Sequence, residues 1–369
     1  LEKNDSILLI ASNIRCEQPI VTHRLRKAAM RGANVSVVNS VDYDFYLPIE
    51  QKRIVNPAKL FNELAGIAKA LLEQGCKSPA KGLDGHLADV TADSSHKAIA
   101  KSLSDAQISS VLVGAQGIQH PQFSIINALA SAIAQMSGSK YGLLAEGGNS
   151  VGAWLAGAVP HRTIGGQSVE KPGLNAAQMM QGLKSYVLLN CEPEMDSAMP
   201  ASTMDSLQAA NSVIVLSPYA SDSMKSYASV ILPVAPFTET SGTFVNAAGE
   251  WQRFSAVVGA LGETKPAWKV LRVLGNMLEC DGFNFTSSEQ VLQEIESKID
   301  SKKEKTNLVS YSLPKNPVPN NNDIIRVAEV QAYCGDAIQR RATALQNTPD
   351  AQSVSVRINK SLADKLGLK

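Results

Sequence analysis

The chain has 369 residues, 44% of them apolar and only 5% aromatic, enough for two or three domains with cores of their own. Its 35 basic and 34 acidic residues leave a formal charge of +1, which excludes nucleic-acid or membrane-surface binding driven by net charge. No apolar run approaches the ~18 residues of a membrane span. The chain starts at Leu1 rather than Met with no signal-peptide pattern, so a fragment or processed product is expected. The five cysteines, Cys16, Cys76, Cys191, Cys280 and Cys334, are widely spaced without a C-x-x-C pair. Neither a zinc ribbon nor a ferredoxin-type cluster can be built locally, and reduced thiols are expected.

In chain order, residues 6–10 (SILLI) read as a buried parallel strand. The turn ASNIRC, residues 11–16, leads to a helix over 17–31, with Pro19 in its first turn and Gly32 ending it. Strand 34–38 closes a βαβ unit. The turn lacks Gly-x-Gly-x-x-Gly, so NAD or FAD is not expected there. His23, Arg24, Arg26, Lys27 and Arg31 give the helix a basic face, either plainly solvated or a docking face for a partner. Residues 40–60 are mixed, 57–72 read as a helix and 73–96 as a surface loop. Strand 109–113, a helix from Phe123 to near Gly138 and strand 141–145 follow. Then comes GGNSVGAWLAGAVPHR, residues 147–162, where glycines permit close backbone approach and His161 and Arg162 are candidates for anion binding.

A second set opens with SYVLL, residues 185–189, and the strand end Asn190-Cys191-Glu192-Pro193. Strands at 212–216 and 229–232 follow. Pro233 is expected to end the last one, and the rest of the stretch 231–252 (ILPVAPFTETSGTFVNAAGEWQ) to form an ordered loop of about 18 residues. Helices are expected at 266–280 and 287–299, a linker at 300–322, a strand at 353–358 and a short helix at 362–368.

The order Leu232-Pro233, Glu239, Gly242-Thr243-Phe244, Asn246, Gly249 and Gln252 resembles the molybdopterin oxidoreductase family. Ser12, Asn13 and Pro19 match that family's strand-end turn, with Ala11 and Ile14 in place of its Gly and Pro. The continuation 259–278, the loop NSVGAWLAGAVP and the segment RRATALQNT (340–348) are similar to one branch of it. That branch is the molybdopterin-type, cluster-carrying component of the peripheral arm in bacterial NADH:quinone oxidoreductases (NADH dehydrogenase, respiratory complex I).

The resemblance implies two Rossmann-like α/β domains with largely parallel sheets, 1–183 and an incomplete 184–299. After the linker it implies the truncated start of a C-terminal β-barrel domain at 323–369. It also implies a scaffold role beside iron–sulfur clusters that lie outside this chain, with other peripheral-arm subunits as partners on the cytoplasmic side of the inner membrane. Neither nucleic acid nor direct membrane insertion is expected. Ser12, Asn13, Arg15, Glu239, Gly242, Thr243 and Asn246 are candidates for a vestigial cofactor cleft. Glu250 stands where the family has Arg, and Glu192 and Asn190 stand in its Gly-x-Asn-Pro turn. Two carboxylates where an anion would lie argue against a bound molybdopterin. No catalytic set or metal site is evident. The alternatives are a fragment of an active molybdopterin enzyme of the formate or nitrate type, and a stand-alone α/β nucleotide-binding protein.

Overall fold

The computed structural model describes residues 1–79, 83–145, 147–299, 324, 325, 327, 333–351 and 356–368. The chain folds as α/β with two parallel sheets, divided between two compact units. The first unit comprises Leu1–Asn175, Phe237–Ala260 and Trp268–Glu329, and the second Ala176–Pro236, Leu261–Ala267 and Val330–Lys369. The sequence suggests one continuous domain over 184–299. The structure instead groups 237–260 and 268–299 with the first unit, because those segments pack against Ser150–Leu155 and Ile164–Gly166.

The first unit is built on five parallel strands in the order β3-β2-β1-β4-β5: β1 Ser6–Ile10, β2 Asn34–Asn39, β3 Gln51–Ile54, β4 Ser109–Val113 and β5 Lys140–Leu143. Every residue of β1 is buried. Leu8 and Ile10 enter one core with helices Leu60–Glu73, Ser94–Asp105 and Phe123–Ser137. Ile7 and Leu9 enter another with Leu25, Ala28, Tyr43 and Phe45. Burial on both faces explains why the strand reads as an unbroken apolar run.

Several local expectations are corrected. The helix expected over 17–31 is two, α1 Ile14–Glu17 and α2 Pro19–Ala29. Pro19 drives Gln18 out of the helical region (φ −141°, ψ 71°), which breaks the run. Strand β3 has no apolar alternation to announce it; its Lys52 is exposed at the sheet edge, a common way of blunting an edge. The expected loop at 231–252 contains an antiparallel hairpin, β9 Gly242–Val245 with β10 Trp251–Phe254.

The second unit has three parallel strands, β6 Ser185–Leu189, β7 Ser212–Ser217 and β8 Val230–Pro233, in that order. Tyr186, Leu188, Val213 and Val215 form its core with Leu207, Met224 and Tyr227. Val187, Leu189 and Val230 are exposed. The tail contributes helices Ala337–Arg341, Thr343–Gln346 and Lys360–Lys365. The expected linker at 300–322 lies outside the described residues, as do 353–355 of the expected strand at 353–358, and the described 356–358 form no strand.

Candidate functional site

Strand β1 pairs with β2 on one side and β4 on the other, so the chain leaves the two central strands β1 and β4 in opposite directions. Open α/β sheets bind ligands beyond the carboxyl ends of strands at such a switch point. Here the β1 end is closely built. Ala11 adopts φ +49° and donates its N–H to Val38 O at 2.8 Å. Ser12 is fully buried; its N–H donates to Asn39 Oδ1 at 2.9 Å, and Asn39 Nδ2 donates to Ser12 O at 2.8 Å. A Cβ on Gly114 would lie 2.3 Å from Ser12 Cβ, so the two strand ends meet only because residue 114 is glycine.

The carboxylate of Glu17 fills the space between these ends. Its Oε1 accepts from Asn13 N–H at 2.6 Å, and its Oε2 accepts from Ser12 Oγ at 2.9 Å and Ala115 N–H at 3.0 Å. Sequence reasoning places Ser12 and Asn13 here and misses Glu17. The available signal is an acid four residues after the turn's Asn.

The second unit repeats this geometry at the end of β6. Asn190 adopts φ +48° and donates its N–H to Leu216 O at 2.9 Å, as Ala11 does to Val38. Glu192 N–H donates to Asp196 Oδ2 at 2.7 Å, four residues ahead, as Asn13 does to Glu17. Cys191 takes the place of Ser12. Burial, and then the charge and hydrogen bond of Asp196, push its thiol up to about 11, so it is inert as a nucleophile near neutrality.

Glu192 itself is clamped by the tail. Arg340 donates Nε at 3.1 Å and Nη2 at 2.9 Å to its Oε2, while Arg341 Nη2 reaches Oε1 at 2.5 Å. Arg340 Nη1 also donates to Asp196 Oδ1 at 2.9 Å, and the Arg341 guanidinium lies 4.3 Å over the Tyr219 ring. Burial alone would raise the Glu192 carboxyl, but the bonds from Arg341 and Arg340 outweigh it and hold it below its ordinary value. The bare repulsive charge expected at Glu192 is therefore neutralised, by residues 148 and 149 positions away.

The remaining candidates lie in the first unit with other roles. The Arg15 guanidinium stacks 4.5 Å over Tyr46. Glu239 ends the short turn Phe237–Glu239. Gly242 opens β9, where a Cβ would sit 2.8 Å from the Phe254 ring, and Thr243 pairs opposite Arg253. Asn246 holds the hairpin turn, its Oδ1 accepting from Ala248 N–H at 2.9 Å and Glu250 N–H at 3.0 Å. Glu250 accepts from Asn246 Nδ2 at 3.2 Å at an exposed turn. The hairpin is tied to the GGNS loop by Val245 N–H donating to Asn149 Oδ1 at 2.8 Å. His161 sits edge-on to Trp154 at 5.0 Å, and Arg162 Nη1 donates to Ser168 Oγ at 2.7 Å. Among the described residues, no group of three or more His, Cys, Asp or Glu is placed to hold a metal, and no helix is long and apolar enough to cross a membrane.

Sheets of this order with paired strand-end turns define a Rossmann-like α/β protein. The molybdopterin oxidoreductase family profile matches residues 1–277, and the chain belongs to that family. Two Staphylococcus aureus proteins, whose names assign them provisionally as formate dehydrogenases, are 36% (strain MRSA252) and 35% (strain USA300) identical to it over 69 residues. That stretch is 19% of this chain and 7% of each relative. Acetylene hydratase from Pelobacter acetylenicus shares the fold at a TM-score of 0.54 and 13% identity, over 76% of this chain and 48% of that one. The chain therefore spans less than half the length of these proteins.

Proposed function

We propose that this chain is a structural segment of a molybdopterin-family oxidoreductase, one that supports electron transfer carried out elsewhere and does not itself hold the pterin dinucleotide. The carboxylate at each strand end carries this reading. Glu17 takes the N–H groups of Asn13 and Ala115, and Asp196 takes that of Glu192. These are the donors such a sheet offers to phosphate. A pyrophosphate there has to displace a carboxylate and then lie beside it, at a Coulomb cost of about 4 kcal/mol for charges 4 Å apart at intermediate dielectric. The motif resemblance suggests the molybdopterin-type component of the peripheral arm of an NADH:quinone oxidoreductase. Its clusters would lie outside this chain, and other arm subunits would be its partners on the cytoplasmic side. We further infer that the exposed Val187, Leu189 and Val230 mark where more of the same polypeptide completes the second sheet.

A second reading is a segment of an active formate-type molybdopterin enzyme. The identity to the Staphylococcus aureus proteins favours it. Sequence similarity supports this second reading; strand-end chemistry supports the first. Molybdenum, tungsten and oxidised-pterin content of the full-length protein separates them. Near-zero metal and pterin with iron and sulfide present is the expected result. Stoichiometric pterin with formate oxidation would overturn the first reading, making Ser12, Asn13 and the 239–246 segment cofactor contacts.

A further inference from the structure

Tyr46 is an anomaly. The residue is 59% exposed, yet its backbone adopts φ +52°, a costly conformation for a bulky aromatic residue. Its neighbours hold it there. Tyr46 N–H donates to Asp44 Oδ1 at 3.1 Å, and Arg26 Nη1 donates to Tyr46 O at 2.5 Å. Phe45 and Tyr43 anchor the segment in the core, edge to face at 6.2 Å. With the Arg15 guanidinium over its ring, Tyr46 walls a hollow of about 630 Å³, shared with Pro19, His23, Arg26 and Phe45. Strain kept at an exposed position points to a use for that position.

Further surface positions lie on α2 and just past its C-terminal end. Ile20 (73% exposed) and Met30 (64%) flank Arg24, Lys27 and Arg31. Glu2 lies along that stretch, paired with Arg24, with Lys27 at 3.4 Å and with Arg31 at 3.3 Å. Half of the face thus already binds a carboxylate brought by a peptide segment, while Arg15 and Arg26 border the other half. Mixed apolar and arginine-rich surface is typical of protein interfaces. Phosphate backbones are met instead by rows of cations and strong net charge, and this chain carries +1.

We propose that the hollow between α2 and Tyr46 docks an acidic peptide segment of a partner protein. Two of its carboxylates bind Arg15 and Arg26, and an apolar side chain between them packs on Tyr46, Phe45 and Pro19. The proposal rests on the reading of this chain as one part of a larger oxidoreductase assembly. In the purified assembly, p-hydroxyphenylglyoxal labelling of Arg15 and Arg26, read by peptide mass spectrometry, is expected to run about tenfold slower than in the separated chain. Tyr46→Gly relieves the left-handed backbone, so the fold is kept, but it removes the ring and should weaken assembly about tenfold. Equal labelling in both states, unchanged assembly by Tyr46→Gly, or arginine protection only by phosphatidylcholine–phosphatidylserine vesicles would each overturn the proposal. An assembly whose arginines label freely overturns this proposal alone. A chain that purifies without any partner overturns the assembly reading as well.

Discussion

Ala11 and Asn190 meet the same backbone demand with different chemistry. Each ends a strand in the left-handed region, where its family has Gly, and each sends its N–H to the neighbouring strand. Asn tolerates this region through local hydrogen bonding; Ala endures it because its side chain is only a methyl. Ala11→Val is therefore expected to lower stability by roughly 2 kcal/mol, through a β-branched side chain at positive φ beside Gly117. Ala11→Gly should stay within about 1 kcal/mol of the parent, since relief of strain offsets the greater freedom of the unfolded chain. Urea unfolding midpoints check both, and a destabilising Ala11→Gly would show that the methyl's packing outweighs the strain. At this scale the replacement of Gly by Ala is legible in the sequence, but the angle that gives it meaning is not.

Among elements, the hairpin and the GGNS loop depend on one another. Asn149 reaches Val245 N–H only because residue 152 has no side chain: a Cβ there would lie 1.9 Å from Asn149 Oδ1. Gly152→Ala should eject the Asn149 side chain and leave the buried Val245 amide unpaired, at a cost of about 2 kcal/mol. Faster hydrogen exchange at Val245 is the direct readout; unchanged exchange would mean the loop reorganises around the methyl. The glycines of NSVG are visible in the sequence, and so is the need for close approach. What approaches, a strand nearly 100 residues later, is not. The same limit explains the missed β3 and β9–β10, four-residue segments without a sustained apolar run that become strands because a neighbour pairs with them.

Across the whole molecule, the clamp on Glu192 ties the second unit's sheet end to a tail about 150 residues away in the chain. Its carboxyl is held below its ordinary value when folded. The clamp's contribution is therefore complete above the unfolded pKa of about 4.3 and is lost as pH falls through the lower folded value. Protection of residues 333–351 against hydrogen exchange should hold from neutrality to about pH 4.3 and then decline. Glu192→Gln should loosen the same segment at neutral pH, at a cost of about 2 kcal/mol, because Glu192 is buried and its bonds to the half-buried Arg340 and the exposed Arg341 lose their charge. Protection that survives in Glu192→Gln would assign the tail's docking to other contacts.

Apolar runs, helix periodicity and proline or glycine breaks suffice for the parallel-sheet class, the longer helices expected at 57–72, 123–138, 266–280 and 287–299, and the position of both strand-end turns, because these signals act within a few residues. The motif order is enough for the family. The state of the two turns is another matter. Glu17 and Asp196 are ordinary acids in the sequence, and Glu192 looks like a bare negative charge. Only the folded chain brings Ala115 N–H to Glu17 and Arg340 and Arg341 to Glu192. Whether a carboxylate repels an anion or stands in its place depends on which donors surround it, and those donors come from distant segments that only tertiary packing unites.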